Sequence, residues 1–252
     1  MRKFVIAGIV LLSLVAIISA ASLGTIETQD KKMEILVISP PNISAEELSK
    51  RLGIDKRGSY VFEYKQGYLK YISSEAFECN DAKLSDKDYR SLAEKYLSEL
   101  RIEPKLSYEF SGIAEDGKIF AYRNGTAKKC ITNQHVNFQL YYNGIKLFGP
   151  GAKVRVYFSG EDVAGVMTQL WDVKVVGKAK VLDREEVIKK LNDECGSIRS
   201  IELAYFVPLP EDGRTYIYPA YVVECVQNGI SVGKIVPAVS MSELKEVVSG
   251  ES

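Results

Sequence analysis

The sequence predicts an α+β protein in which antiparallel sheets are each packed by helices, arranged as two related units. Three observations carry this expectation. Apolar residues recur at helical spacing in three segments, each opened by a capping residue. Between them, longer stretches alternate apolar and polar residues at the period of half-buried strands, and Asn143-Gly144 and Asn228-Gly229 punctuate them as hairpin turns. Helices and strands also come in blocks, which favours antiparallel pairing over a regularly alternating parallel fold.

Residues 1–30 stand apart from the fold. Arg2 and Lys3 precede an uncharged run of 18 residues from Phe4 to Ala21, and Glu27, Asp30, Lys31 and Lys32 follow it. Ser19 and Ala21 are small residues at the −3 and −1 positions of a cut after Ala21, the pattern of a signal peptide. The same run reaches the roughly 17 residues that a membrane span needs. Two readings therefore stay open, a signal peptide or an N-terminal membrane anchor, each followed by a linker. Under both, the charge asymmetry keeps the amino end inside, so the rest of the chain is expected to be extracytoplasmic, secreted or anchored to the cell membrane by the N-terminal helix.

The first unit is expected over residues 31–130. Ile35 to Ile38 reads as a strand ended by Pro40-Pro41, and Ser44 with Glu47 forms a capping box for a helix that aligns Leu48 and Leu52 and stops at Gly53. Two runs around Gln66-Gly67 read as a hairpin with Tyr60, Phe62 and Tyr64 on one face. Ser85 and Asp88 open a second helix, whose stripe is Tyr89, Leu92, Ala93, Tyr96, Leu97 and Leu100. Beyond Pro104, strands at about 105–112 and 118–124 are expected, joined by a turn at Glu115-Asp116-Gly117.

The second unit is expected over residues 131–252. Val136, Phe138, Leu140 and Tyr142 share one strand face, Asn143-Gly144 turns the chain, and Ile145 and Leu147 return. Gly149-Pro150-Gly151 should bend or bulge the returning strand, since proline cannot donate to the ladder. Ala152 to Phe158 alternate, Ser159 to Asp162 turn, and Val163 to Val176 reads as one long strand. Asp183 caps a third helix with Glu186 at its third position, burying Val187, Ile188 and Leu191. Strands at about 198–208, 214–226 and 230–239 complete the unit.

The two units share a pattern. Glu115-Asp116-Gly117-Lys118-Ile119-Phe120-Ala121-Tyr122 and Glu211-Asp212-Gly213-Arg214-Thr215-Tyr216-Ile217-Tyr218 both read E-D-G-[KR]-x-[FY]-x-Y, 96 residues apart. Each follows a helix cap, Ser85 or Asp183, and precedes a cysteine, Cys130 or Cys225. This is read as a duplication, because turn chemistry alone explains the E-D-G but not the flanking helix and cysteine.

Composition narrows the function. Lys plus Arg is 33 and Asp plus Glu is 33, so the basic excess of a nucleic-acid binder is missing and no nucleic-acid partner is expected. One histidine, His135, serves the whole chain; with no second His and no free Cys to join it, a polar position on the rim of a strand is expected rather than a base or ligand. The pairs Glu115-Asp116, Glu161-Asp162 and Glu211-Asp212 are read as solvated turns, not as acid-base catalysts. No catalytic residue, metal or cofactor is expected. The four cysteines contain no C-x-x-C and follow an export segment, so two disulfides are expected. Of three connectivities, Cys79 with Cys130 and Cys195 with Cys225 keeps each bond within one unit. Asn42 and Asn124 head N-glycosylation tripeptides. Tyr141, Tyr142, Trp171 and Tyr221 are candidates for an aromatic contact surface, against the commoner use of such rings as core.

One stretch carries a family resemblance. In residues 136–191 a strand ends in Tyr141-Tyr142, Asn143-Gly144-Ile145 makes the turn, Phe148-Gly149 and an alternating strand follow, Gly160 turns the chain, and a helix closes it from Asp183. Ile201 to Val223 adds a strand pair with Tyr205 and Pro219-Ala220-Tyr221. Together these resemble PepSY and FTP domains, found in propeptides of secreted metallopeptidases and in membrane-anchored regulators of the YycH/YycI type, which often carry Trp where Tyr221 stands. The resemblance implies an extracytoplasmic, non-catalytic α+β module that binds or inhibits a protein partner such as a peptidase or a sensor. With no peptidase domain following, the partner is expected to be a separate chain. The alternatives are an exported enzyme of unknown type and a cell-envelope structural protein.

Overall fold

Two-residue alternation, more than helical periodicity, governs the computed structural model, which describes residues 31–52, 60–65, 67–80, 83–100, 106–122, 125–192, 194–208 and 215–250. The strands are β1 (Lys32–Ser39), β2 (Tyr60–Lys65), β3 (Tyr68–Ser73), β4 (Leu106–Ala121), β5 (Ala127–Tyr142), β6 (Ile145–Phe148), β7 (Lys153–Ser159), β8 (Asp162–Gln169), β9 (Asp172–Lys180), β10 (Ser197–Phe206), β11 (Thr215–Gln227) and β12 (Ile230–Pro237). The helices are α1 (Ala45–Leu52), α2 (Asp86–Glu99), α3 (Arg184–Leu191) and α4 (Met241–Ser249), with a short 3-10 turn at Ser74–Phe77. The expected export segment 1–30, Asn124 and the second Glu211-Asp212-Gly213 lie outside the described residues.

The twelve described strands join one sheet. The path β2-β3-β8-β7-β5 is antiparallel throughout, and β4 pairs with the other side of β5. At the Tyr142 end of β5 the hairpin strand β6 takes over and pairs in parallel with β10, Leu147 against Tyr205 and Phe148 against Phe206. From β10 the sheet continues to β11, which carries both β12 and β1, and β1 holds β9.

This overturns the expected α+β layout of separate antiparallel sheets, each packed by helices. The protein is mostly sheet, the sheet is single and mixed, and the helices are short additions of 8, 14, 8 and 9 residues. Three local features account for the difference. The short β6 crosses from one hairpin to β10 and fuses what would have been two sheets. Val163 to Val176 breaks at Leu170-Trp171, so that β8 and β9 pair with different neighbours, β3 and β1. Glu115-Asp116-Gly117 makes no turn: β4 runs straight through it, with Glu115 opposite Gln134, Asp116 opposite Asn133, and a bulge before Gly117. A Cβ on Gly117 would lie 2.7 Å from the Cys130 carbonyl oxygen, so glycine there serves close approach of two strands. The expected boundary between residues 130 and 131 falls inside β5.

The core lies on one face of this sheet. Ser85 caps α2 by accepting from the Asp88 N–H, as the sequence spacing implies, and the helix buries Tyr89, Ala93 and Leu97 in the cluster that holds Val136, Phe138 and Leu140 of β5. Tyr89 meets the Phe158 ring edge-on at 4.9 Å and donates to the Gly160 carbonyl at 2.9 Å. Leu92, placed in the expected stripe, is 38% exposed and lies outside it. Trp171 is buried beside Leu170, where the chain passes against Gly67; Leu170 N–H donates to the Gly67 carbonyl at 2.7 Å. Gly67 has φ 77°, and a Cβ there would come within 2.4 Å of the Leu170 oxygen, so both backbone shape and space demand glycine. A smaller cluster forms where α4 lays Leu244 and Val247 on Ile35 and Ala179.

Disulfides tie loops to the sheet. Cys79 is bonded to Cys130 of β5, and Cys195 to Cys225 of β11, with Cα separations of 5.6 and 5.7 Å. Two such bonds place the chain in an oxidising, extracytoplasmic setting. Among the described residues no helix is long and apolar enough to cross a membrane.

Burial separates two leucine-sized side chains. Leu140→Ala, at a fully buried position, should cost about 2–5 kcal/mol in urea unfolding. Ile119→Ala, at a position 72% exposed, should change stability by less than about 0.5 kcal/mol. Equal losses would mean that β4 and β5 do not divide inside from outside as described.

Candidate functional site

The strand β5 has a second face. Its even residues from Gln134 to Tyr142 turn to the helices, so Asn133, His135, Asn137 and Gln139 must turn the other way. Register with β7 extends this polar surface, because Asn137 stands opposite Arg155 and His135 opposite Tyr157. The apolar cluster on this side contains Ile72, Ala76, Tyr157 and Ala164, with Met167 against it, and includes no helix residue. Among the described residues, the 3-10 turn covers part of it.

That turn is held over the end of the face nearest His135. The Asn133 amide donates to the Ala76 carbonyl at 3.0 Å, Lys118 Nζ donates to the Phe77 carbonyl at 2.6 Å, and the Cys79–Cys130 bond follows immediately. Beneath it, His135 Nδ1 lies 3.4 Å from Asn133 Oδ1 and 3.6 Å from Asp116 Oδ2, with the Tyr157 ring centred 5.7 Å from its own. The residue expected on a strand rim is thus in mid-strand and 5% exposed. The extra residue Ser111, between Phe110 and Gly112, shifts the alternation of β4 and is what brings Asp116 to it. Burial holds the His135 pKa below its ordinary value, and the Arg155 guanidinium adds to this while Asp116 opposes it.

Beyond Arg155 the face opens into two adjoining clefts. One, of about 500 Å³, has Asn137, Gln139 and Arg155 on its floor and Phe148, Pro150 and Ile235 among its walls. The other, of about 430 Å³, is bounded by Glu63, Lys65, Tyr68, Met167 and Gln169. Pro150 and Lys153 border both. Arg155 is held in place: Nε donates to Asn137 Oδ1 at 2.8 Å, Nη1 points to the Tyr157 hydroxyl at 3.4 Å, and the guanidinium lies 5.8 Å from that ring's centre. Lys153 is exposed and has no ion-pair partner among the described residues. Gln169 is 1% exposed, and its Oε1 accepts no hydrogen bond from the described residues.

The aromatic surface expected from the sequence is not assembled. Tyr142, Trp171 and Tyr221 are buried in the main core, and Tyr141 is half-buried on the opposite side of β5 from Tyr142. Neighbouring residues of a strand face opposite ways, so a tyrosine pair cannot present two rings together. The buried hydroxyls are used internally: Tyr142 donates to Glu34 Oε2 at 2.8 Å and Tyr221 to the Leu182 carbonyl at 2.9 Å. Burial first, and the bond to Glu34 second, push the Tyr142 pKa up to about 12. Asn42 is exposed just ahead of α1. Glu115 is ion-paired with Lys83. Among the described residues no group of three His, Cys, Asp or Glu could hold a metal ion.

The residues that shape the clefts, Lys153, Arg155 and Gln169, were not singled out by motif. Their signal was the polar residue at every second position from Asn133 to Gln139, continued by Lys153 and Arg155 in the next long strand.

No family model matches the chain, and no curated protein matches it. Among solved structures it is similar to an uncharacterized protein from Eubacterium rectale, at 12% identity and a TM-score of 0.45, over 81% of this chain and 82% of that one.

The His135 environment has a pH signature. Because its folded pKa is lowered, the unfolded chain takes up the proton first as pH falls below about 6.5. The stability it contributes is complete above that value and is lost as pH falls through the folded pKa. Melting temperatures at pH 7.5 and 5.5 should therefore drop less for His135→Gln than for the natural protein; equal drops would contradict the buried, neutral histidine.

Proposed function

We propose that the chain is an exported, non-catalytic binding or regulatory protein with PepSY-like modules, acting on an extracytoplasmic protein partner such as a peptidase or a sensor. Residues 1–30 would either be removed on export or anchor it to the membrane. The carrying observation is the sheet face on β5, β7 and β8, which no helix among the described residues covers and which opens into two adjoining clefts. A helix-free sheet face of mixed polar and apolar character is a ready contact surface, while the opposite face supplies the core.

His135 is held by a carboxylate, a carboxamide, a guanidinium and a phenol, those of Asp116, Asn133, Arg155 and Tyr157. The acidic pair Glu115-Asp116 is divided between the two faces, Glu115 to Lys83 and Asp116 to His135.

Site-specific photo-crosslinking in intact cells tests the reading. A photoreactive side chain at Met167, on the bare face, should yield a discrete protein adduct, while one at Lys95, exposed on α2, should not. No adduct from Met167, or the same adducts from both positions, would overturn it.

A further inference from the structure

The reading above leaves the partner's chemistry open, and the clefts restrict it. We propose that they take an extended acidic polypeptide segment, its carboxylates on Lys153 and Arg155 and its apolar side chains against Phe148, Pro150 and Ile235. This deepens the proposed binding function and rests on it.

Charge is the first argument. Lys153 borders both clefts, and Arg155 follows two residues later on the same face of β7. Neither has an ion-pair partner among the described residues. The carboxylate of the second cleft, Glu63, stands opposite Lys70 in the β2–β3 register, so it is already faced by a cation. Arg155 is also oriented in advance by Asn137 and Tyr157, which lowers the ordering cost of presenting its guanidinium to a carboxylate.

Shape is the second. The clefts reach from β5 to β2 across β7, β8 and β3. Four strand spacings make about 19 Å, which an extended chain covers in about six residues. Apolar walls beside cations suit a segment that mixes acidic and apolar side chains. A nucleic acid backbone would call for a longer run of cations than this pair.

Fluorescence anisotropy with the full, disulfide-bonded chain in detergent tests this, using a labelled Glu-Leu repeat hexapeptide and its Gln-Leu counterpart as probes. At low salt the acidic probe should bind at least about tenfold tighter, and Lys153→Glu should remove that advantage. Lys153→Gln should remove part of it, and 0.5 M salt should shrink it in the natural protein. The substituted side chain is exposed, so unchanged melting temperatures establish that both variants are folded. Equal affinity for the two probes, no binding of either, or indifference to both substitutions would overturn the acidic-segment assignment. An adduct from Met167 in cells alongside any of these results would leave the binding function standing, and loss of both would remove both.

Discussion

The structure depends on the two-sidedness of one long strand. β5 runs for 16 residues with β4 along one side and, from Gln134 onward, β7 and then β6 along the other, so from Gln134 to Tyr142 it is paired on both sides and its side chains alternate. The even residues from Val136 to Tyr142 are apolar and draw α2 onto the sheet; the odd residues from Asn133 to Gln139 are polar and lie on the reverse face, which no helix among the described residues covers. A shift of one residue would exchange the two sets, placing His135 and Asn137 under α2. The core, the covered histidine and the open clefts are consequences of the same register.

The strap over His135 follows from that register as well. Asn133 and Cys130 both serve the 3-10 turn and the chain after it, one through an amide hydrogen bond and the other through a disulfide. In the chain-entropy picture, a closed loop of 51 residues contributes roughly 4 kcal/mol by restricting the unfolded state. That contribution acts on the chain as a whole, but its geometric effect is local, because it fixes one end of the polar face and leaves the clefts at the other end open. The second bond, at Cys195 and Cys225, stands on β11, beyond β6 and β10, and constrains the far part of the sheet.

Elements governed by neighbours in sequence were legible before the fold was known. The Ser85–Asp88 cap, the Asn143-Gly144 turn and the alternation on β5 all depend on interactions within a few residues, and their φ values and hydrogen bonds follow suit, Asn143 at 48° and Gly144 at 75°. What depended on distant partners was not. Glu115-Asp116-Gly117 has good turn chemistry, yet pairing with β5 on a long ladder outweighs a local turn, and the chain absorbs the mismatch as a bulge. The parallel pairing of Leu147-Phe148 with β10 has no signature in the text, and it is the link that makes one sheet from two hairpin systems. α4 went unread although Ser240 accepts from the Glu243 N–H at its start, because Leu244, Val247 and Val248 form too short a stripe to stand out. For the candidate site, the polar alternation was visible but its meaning was not: which face the helices choose is decided only when the sheet assembles.

That choice also separates what stabilises the protein from what can contact another molecule. Lys153 and Arg155 project from β7 on the bare side, while Val154, Val156 and Phe158 of the same strand are in the core. Substituting a cation on such a strand leaves its buried partners and its ladder hydrogen bonds untouched, so the bare face can vary in charge with little effect on folding. The free edges obey a different constraint. β4 exposes Phe110, Ile119 and Phe120 along an outer strand, a surface prone to pairing with other chains. Two irregularities in its ladder with β5, an extra residue at Ser111 of β4 and one at Thr132 of β5, interrupt the flat pairing surface that such addition needs. The extra residue at Ser111, which turns Asp116 toward His135, thus also breaks up the edge.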